Sequence, residues 1–277
     1  MQTLAEIRTL LAQRGLSPKK SLGQNFLIDH NLIRRLVDAA AIEPGDRVLE
    51  IGPGTGALTI DLLERGATVV ASELDDGLAA LLADTLGGAY PETFTLVHGD
   101  CLAGKRSLAA PLLAAIGDQP FKLVANLPYG AATPLILTLL ADHPACGGVW
   151  VTIQREVVDR LAASPGTKAY GSISVVAQAI GSVERLATLP PGCFWPQPGV
   201  TSAMVAIKRR DDPLTDNPRR LADFCQEAFA QRRKQLGPSL KRLGYVPKQW
   251  PDGVDPTDRI ESLSPEIICH LERACRS

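Results

Sequence analysis

The sequence predicts a doubly wound, mostly parallel α/β sheet followed by a small all-α C-terminal domain. Three observations predict it. From Asp46 onward, short apolar runs alternate with helical stretches, a βαβα order. A glycine-rich turn joins the first of these runs to a helix. After the charged, proline-containing break at 208–213, only helical patterns remain.

Residues 1–45 read as an N-terminal helical segment. Leu4, Ile7, Leu10 and Leu11 recur at helical spacing, the polar elbow at 17–20 interrupts, and Leu32, Ile33, Leu36 and Val37 share one face of a second helix. Residues 46–210 read as the sheet domain. Its runs at 47–51, 68–72, 94–97, 121–125 and 148–153 are short and mostly apolar without strict alternation, which suits parallel strands covered on both faces. Two more, 186–189 and 202–207, are expected as an antiparallel edge. Residues 211–277 read as a helical domain with helices at 221–231, 236–243 and 265–275.

Composition narrows the function. With 277 residues, 45% of them hydrophobic, the chain can bury a sizeable core. Its formal net charge is −1, so any nucleic-acid surface must come from local clusters of Lys and Arg. The six cysteines contain no CxxC pair, so no metal site is expected, and they read as reduced thiols. The N-terminus has no apolar core of a secretory signal and no run is long enough to span a membrane. A soluble, cytoplasmic, monomeric protein without membrane contact is the expectation.

The turn after the first run is Glu50-Ile51-Gly52-Pro53-Gly54-Thr55-Gly56. Gly52, Gly54 and Gly56 allow a tight turn and a close ligand, and the following helix start adds free N–H groups. Glu73 closes the second run, where a carboxylate can accept from both hydroxyls of a ribose. Asp100 closes the third and can reach an adenine amino group. A dinucleotide oxidoreductase competes with this reading. The GxGxG spacing and the position of Glu50 favour a methyltransferase, whose cofactor has no pyrophosphate to cradle.

The fourth run ends in Asn126-Leu127-Pro128-Tyr129. In doubly wound sheets ligands sit beyond the carboxyl ends of the strands, so this tetrapeptide is aimed at the cofactor crevice. An adenine N6 amine is a poor nucleophile because its lone pair is delocalised into the ring. Two acceptors, the Asn126 side-chain oxygen and the Leu127 carbonyl, would draw it toward tetrahedral geometry. Pro128 biases Leu127 toward an extended backbone. Tyr129 offers a flat face for a base taken out of its stack. Phe194, in a proline-stiffened loop, is a second stacking candidate or else a core aromatic.

Basic residues gather in three places: Lys19, Lys20, Arg34 and Arg35; Arg155 and Arg160; and Arg232, Arg233, Lys234, Lys241 and Arg242. They can hold RNA phosphates without reading sequence. Each alone also fits a solvated helix face.

These residues together resemble the ribosomal RNA adenine N6,N6-dimethyltransferases, the KsgA family. The resemblance rests on PKKSLGQNFL at 18–27, EIGPGTG at 50–56, Glu73, Gly99-Asp100, NLPY at 126–129, QREV at 154–157, YGS at 170–172, FWPQP at 194–198 and QRRKQL at 231–236. It implies a Rossmann-like class I methyltransferase domain. It implies transfer from S-adenosyl-L-methionine to N6 of two adjacent adenines near the 3′ end of 16S rRNA in the small ribosomal subunit. By the same resemblance Asn25, Leu27, Gly52, Glu73, Asp100 and Asn126 contact the cofactor, with Asn25 and Leu27 lying over it. Asn126, Leu127, Tyr129 and Phe194 hold the target base. Gly199 and Thr201 depart from the family, which usually has Lys and Asp there, and the segment 103–119 looks long. The alternatives are a 23S rRNA dimethyltransferase of the antibiotic-resistance type and a non-catalytic ribosome-assembly factor on the same scaffold.

Overall fold

The computed structural model of the chain describes residues 2–104 and 106–275. The N-terminal segment supplies helix α1 (Leu4–Gln13), strand β1 (Phe26–Leu27) and helix α2 (His30–Ala39). Thr3 and Glu6 close a capping box on α1, and the Asp29 carboxylate accepts from two N–H groups at the start of α2. Each helix buries one stripe: Ile7 and Leu11 on α1, and Ile33, Leu36 and Val37 on α2.

The sheet domain then alternates β2 (Arg47–Ile51), α3 (Ala57–Glu64), β3 (Thr68–Glu73), α4 (Asp76–Leu82), β4 (Phe94–His98), α5 (Ala110–Ile116), β5 (Phe121–Asn126), α6 (Tyr129–Asp142) and β6 (Cys146–Gln154). Helices α7 (Arg155–Leu161) and α8 (Ser172–Ile180) follow, then β7 (Gly181–Leu189), β8 (Phe194–Trp195) and β9 (Ser202–Arg209). The seven-stranded sheet runs in the order β4-β3-β2-β5-β6-β9-β7. β2 to β6 are parallel, and β9 is antiparallel to both β6 and β7.

All five runs expected as parallel strands form them. The last two are antiparallel, as expected, but only β7 is an edge. β9 is buried over its first six residues and lies inside, whereas β7 carries exposed Ser182, Glu184 and Arg185, which an edge tolerates. Strand order reverses between β2 and β5, which opens the crevice where such sheets bind ligands. A second, two-stranded ribbon joins β1 to β8, with Phe26 opposite Trp195 and Leu27 opposite Phe194. Two residues per strand are too few for a period, so the sequence carries no sign of it.

Helices α9 (Pro218–Phe229), α10 (Leu236–Arg242) and α11 (Pro265–Ala274) complete the fold. One apolar core runs from Val149 and Val151 of β6 through Val175 of α8 to Leu221 and Phe224 of α9 and Leu271 of α11. Burying each such side chain is worth about 1.5–3 kcal/mol, so the helices after residue 210 are seated firmly. Arg209, in the charged break, is no loose linker residue. Its Nη2 donates to the carbonyls of Leu139, Leu140 and His143, satisfying groups that the end of α6 leaves free. The long segment after Asp100 turns back on itself, with Leu102 bridged to Leu108, and buries Leu108 and Leu112. From its tip Arg106 reaches Asp223 of α9 at 2.6 Å and also Gln226.

Candidate active site

A cavity of about 850 Å³ opens at the carboxyl ends of β2, β3 and β5. Gly52 and Gly54, Glu73, Asp100, Asn126, Leu127, Pro128 and Tyr129 all line it, as do Lys20, Asn25 and Leu27 of the N-terminal segment. The glycine turn and the tetrapeptide are in direct apposition. A Cβ on Gly52 would stand 3.3 Å from the Pro128 ring, and one on Gly54 would strike the Phe26 ring at 2.9 Å. Both glycines also hold positive φ, 68° and 62°.

Several polar groups on the wall are fixed by their neighbours. Glu73 accepts from the Gly54 N–H at 3.2 Å and from the Asp75 N–H at 2.9 Å. Burial raises its pKa, and those two N–H groups pull the other way. Asp100 is exposed, and one of its oxygens accepts from the Leu102 N–H at 2.9 Å. Asn126 donates its Nδ2 to the Asn25 carbonyl at 2.9 Å. That partner accepts only, so it decides which end of the amide is nitrogen and leaves Oδ1 as a free-facing acceptor. The Leu127 N–H donates to the Thr152 carbonyl at 3.1 Å, which locks the main chain of the tetrapeptide onto β6.

The N-terminal segment is pinned over this crevice. The Lys19 ammonium meets the buried Asp75 carboxylate at 2.7 Å, and Gln24 donates to the same oxygen at 3.3 Å. Burial pushes Asp75 up, but the Lys19, Leu78 and Gln24 donors prevail and hold it below the usual carboxylate range.

Several expected roles are corrected. Phe194 is 2% exposed in the free chain, sits in β8 opposite Leu27 and is not among the residues that line the cavity, so the structure shows it as a core aromatic with no face open to a base. Gly56 lies outside the wall, at the start of α3, where a Cβ would press on Leu86 at 3.0 Å. It serves helix packing. Lys19 is paired with Asp75 while half its side chain stays exposed, and Arg232 is bound to Glu261 at 2.7 Å and to the carbonyls of Lys168 and Tyr170, so both cations already carry structural ties. Arg155 is half-exposed near Asp159 at 3.8 Å, and Arg233, Lys234 and Lys241 are exposed.

The sequence marks Glu50 only as a feature of the turn and gives no role to Leu74, Leu102, Ser202 or Phe26. Glu50 is 1% exposed, lines the cavity, and has no partner for its Oε2. Burial pushes its pKa up to about 8, against the pull of the nearby Thr59 hydroxyl and with the Glu73 charge adding to the rise. Leu74 is apolar yet 50% exposed, between two carboxylates at a strand end, and together with Leu102 it gives the cavity an apolar lip. That misplaced leucine was the signal available. Ser202 lies within 2.7 Å of the Tyr129 hydroxyl, a partnership no sequence spacing announces. Phe26 covers Gly54.

Among the described residues no group of three or more His, Cys, Asp or Glu side chains can hold a metal ion, and no helix is long and apolar enough to cross a membrane. The wall instead offers carboxylates for hydroxyl and amine groups, an apolar lip for a purine, and an amide oxygen beside a tyrosine ring.

Comparison with known proteins adds the rest. A family model described as ribosomal RNA adenine dimethylase matches residues 15–276. The chain is 40% identical to the ribosomal RNA small subunit methyltransferase A of Bifidobacterium longum subsp. infantis, covering 99% of this chain and 93% of the relative. It is 42% identical to the protein so named in Streptomyces griseus, over 95% and 91% of the two chains. Among solved structures, it is similar to a dimethyladenosine transferase from Plasmodium falciparum (TM-score 0.71, 21% identity, 89% and 95% covered). It is also similar to the 23S rRNA methyltransferase ErmE (TM-score 0.67, 25% identity, 91% and 99% covered).

Proposed function

Because the chain belongs to the ribosomal RNA adenine dimethylase family, we propose that it dimethylates N6 of two adjacent adenines near the 3′ end of 16S rRNA, with S-adenosyl-L-methionine as methyl donor. The observation that carries this reading is the shared cavity: the glycine turn and the tetrapeptide line one space of about 850 Å³, so a donor held over one would be within reach of a base held by the other.

The residues present fit such a donor. The unpartnered buried Oε2 of Glu50 suits a cationic group, the Glu73 carboxylate suits a ribose, and Asp100 with Leu74 and Leu102 suits an adenine. Asn25, Leu27, Gly52 and Gly54 would complete its enclosure. When bound, the donor supplies an electrophilic methyl group on a sulfonium.

The chain's own residues do the rest by placement. The Asn126 Oδ1 and the Leu127 carbonyl accept from the two N–H groups of the target amine, which turns its lone pair out of the ring. Tyr129 supports the purine face. Pro128, which has no N–H to compete, holds the Leu127 carbonyl side of the turn against Gly52. The nitrogen becomes cationic as it gains the methyl group and then loses an acidic proton to solvent, so no strong base is required, and most of the acceleration comes from proximity and orientation.

RNA is gripped, in this reading, by Lys20 at the cavity mouth and by the exposed Arg155, Arg233, Lys234 and Lys241. The helices after residue 210 form an RNA-binding unit seated on the catalytic domain of residues 46–210. The enzyme acts as a cytoplasmic monomer. Mass mapping of methylated adenines after incubation with 30S particles or with 23S rRNA tests the assignment. Two dimethylated neighbours near the 3′ end of 16S rRNA are expected; methylation confined to 23S rRNA overturns it.

A further inference from the structure

We infer that Ser202 is a positioning residue for the target base, acting through the Tyr129 hydroxyl. The inference rests on the reading of Tyr129 as the ring that supports the purine.

Tyr129 is the first residue of α6 and stands on the cavity wall, half-buried. Its hydroxyl reaches out of the cavity to the Ser202 Oγ at 2.7 Å, a normal distance for an O–H···O bond. Ser202 is fully buried, at 0% exposure. It is the first residue of β9, held in register opposite Gln154 on one side and Leu189 on the other. The peptide just before it is fixed as well, because the Arg155 N–H donates to the Thr201 carbonyl at 3.0 Å. The anchor therefore belongs to the interior of the sheet, not to a loop.

A tyrosine side chain turns about two bonds. Its oxygen lies on the axis of the second, so tethering that oxygen fixes the direction in which the ring points. Without the tether the ring can swing about the first bond into the open cavity, and the base it supports loses its line to the methyl group. Sites held by packed elements keep the alignment that transfer requires. A serine that only filled space in the sheet would leave the hydroxyl of Tyr129 without consequence for turnover.

The test is a double-mutant cycle on the full chain: Ser202→Ala, Tyr129→Phe and both together. Each is assayed for methyl transfer to 30S particles and for the KM of the methyl donor. A neutral hydrogen bond is worth about 0.5–1.5 kcal/mol, so each single variant should lose about 2- to 13-fold in kcat. The donor KM should stay within about twofold, and the double variant should be no slower than the slower single one, since both remove one bond. Tyr129→Phe keeps the ring and removes the bond from the other end, so it carries the test even where Ser202→Ala fails to fold. Wild-type kcat in Tyr129→Phe, or in a folded Ser202→Ala, overturns the inference, and so do losses that multiply. A wild-type protein that methylates no adenine overturns the reading beneath it instead.

Discussion

Along the cavity wall, two polar side chains are tied to neighbours and still face the space open to a ligand. Asn126 gives its nitrogen to Asn25 and keeps its oxygen; Glu73 takes two main-chain N–H groups and still lines the cavity. Along the basic C-terminal turn the pattern splits. Arg232 spends its guanidinium on Glu261 and two carbonyls, while Arg233 and Lys234 beside it are exposed. The difference teaches that a motif residue's function depends on what remains after its structural ties. On the wall the ties orient a remaining atom. In the turn they take up most of the Arg232 donors, four of five.

The largest effects that would break this contrast belong to the wall. Asn126→Ala removes the oriented acceptor and should lower kcat by about 100-fold or more, as does loss of a single pre-set hydrogen-bonding group elsewhere. Donor binding, followed by calorimetry, should persist in weakened form. Wild-type transfer would defeat the assignment. Glu73→Ala should come next, weakening donor affinity by about 10- to 100-fold, the worth of hydrogen bonds to a charged group, while RNA affinity holds. An unchanged donor titration would remove Glu73 from the site.

Glu50 sharpens the same comparison through pH. Folding pushes its pKa up to about 8. Between the ordinary carboxylate range and that value, the folded chain keeps a proton that the unfolded chain has released. The folded state therefore loses stability as pH rises through that window. Thermal melting of the free protein should fall between about pH 5 and pH 8, and Glu50→Gln should flatten that slope. A cationic donor favours the ionised form, so its binding should release a proton; calorimetry in buffers of different ionisation enthalpy reads this out. Equal slopes in both proteins would show that Glu50 is already ionised.

The smallest effects lie in the turn. Arg232→Ala should cost about 1–2 kcal/mol of stability by leaving Glu261 and two carbonyls short of a partner. It should leave the salt dependence of RNA binding nearly intact. Lys234→Ala with Lys241→Ala should do the reverse: no change in melting, and a log-log salt slope shallower by about one for each lysine. A swapped result would mean that Arg232 breaks its ties to meet RNA.

The sheet was legible because its apolar runs are short, continuous and bounded by breakers, so all five parallel strands could be read from the sequence. The order of the last two strands was not, since β7 and β9 differ by which is fully buried and the spacing of their motifs says nothing of that. At the site, Gly52, Gly54, Glu73, Asp100 and the tetrapeptide were readable from their places at strand ends. Phe194 was readable only as one of two alternatives, because an aromatic beside prolines looks alike in a core and on a cavity wall; the free chain buries it. Glu50 was seen only as a mark of the turn. Its missing partner is a property of three-dimensional space, as is the bond between Tyr129 and Ser202, 73 residues apart.

The short ribbon of β1 and β8 has a mechanical consequence. Phe26 is bonded to the strand that leads into the loop before β9, and the adjacent Asn25 holds the Asn126 amide. The outer loop and the Asn126 amide are thereby joined across one peptide. A substitution that loosens the ribbon should therefore be felt at Asn126, although β8 and Asn126 lie far apart in the chain.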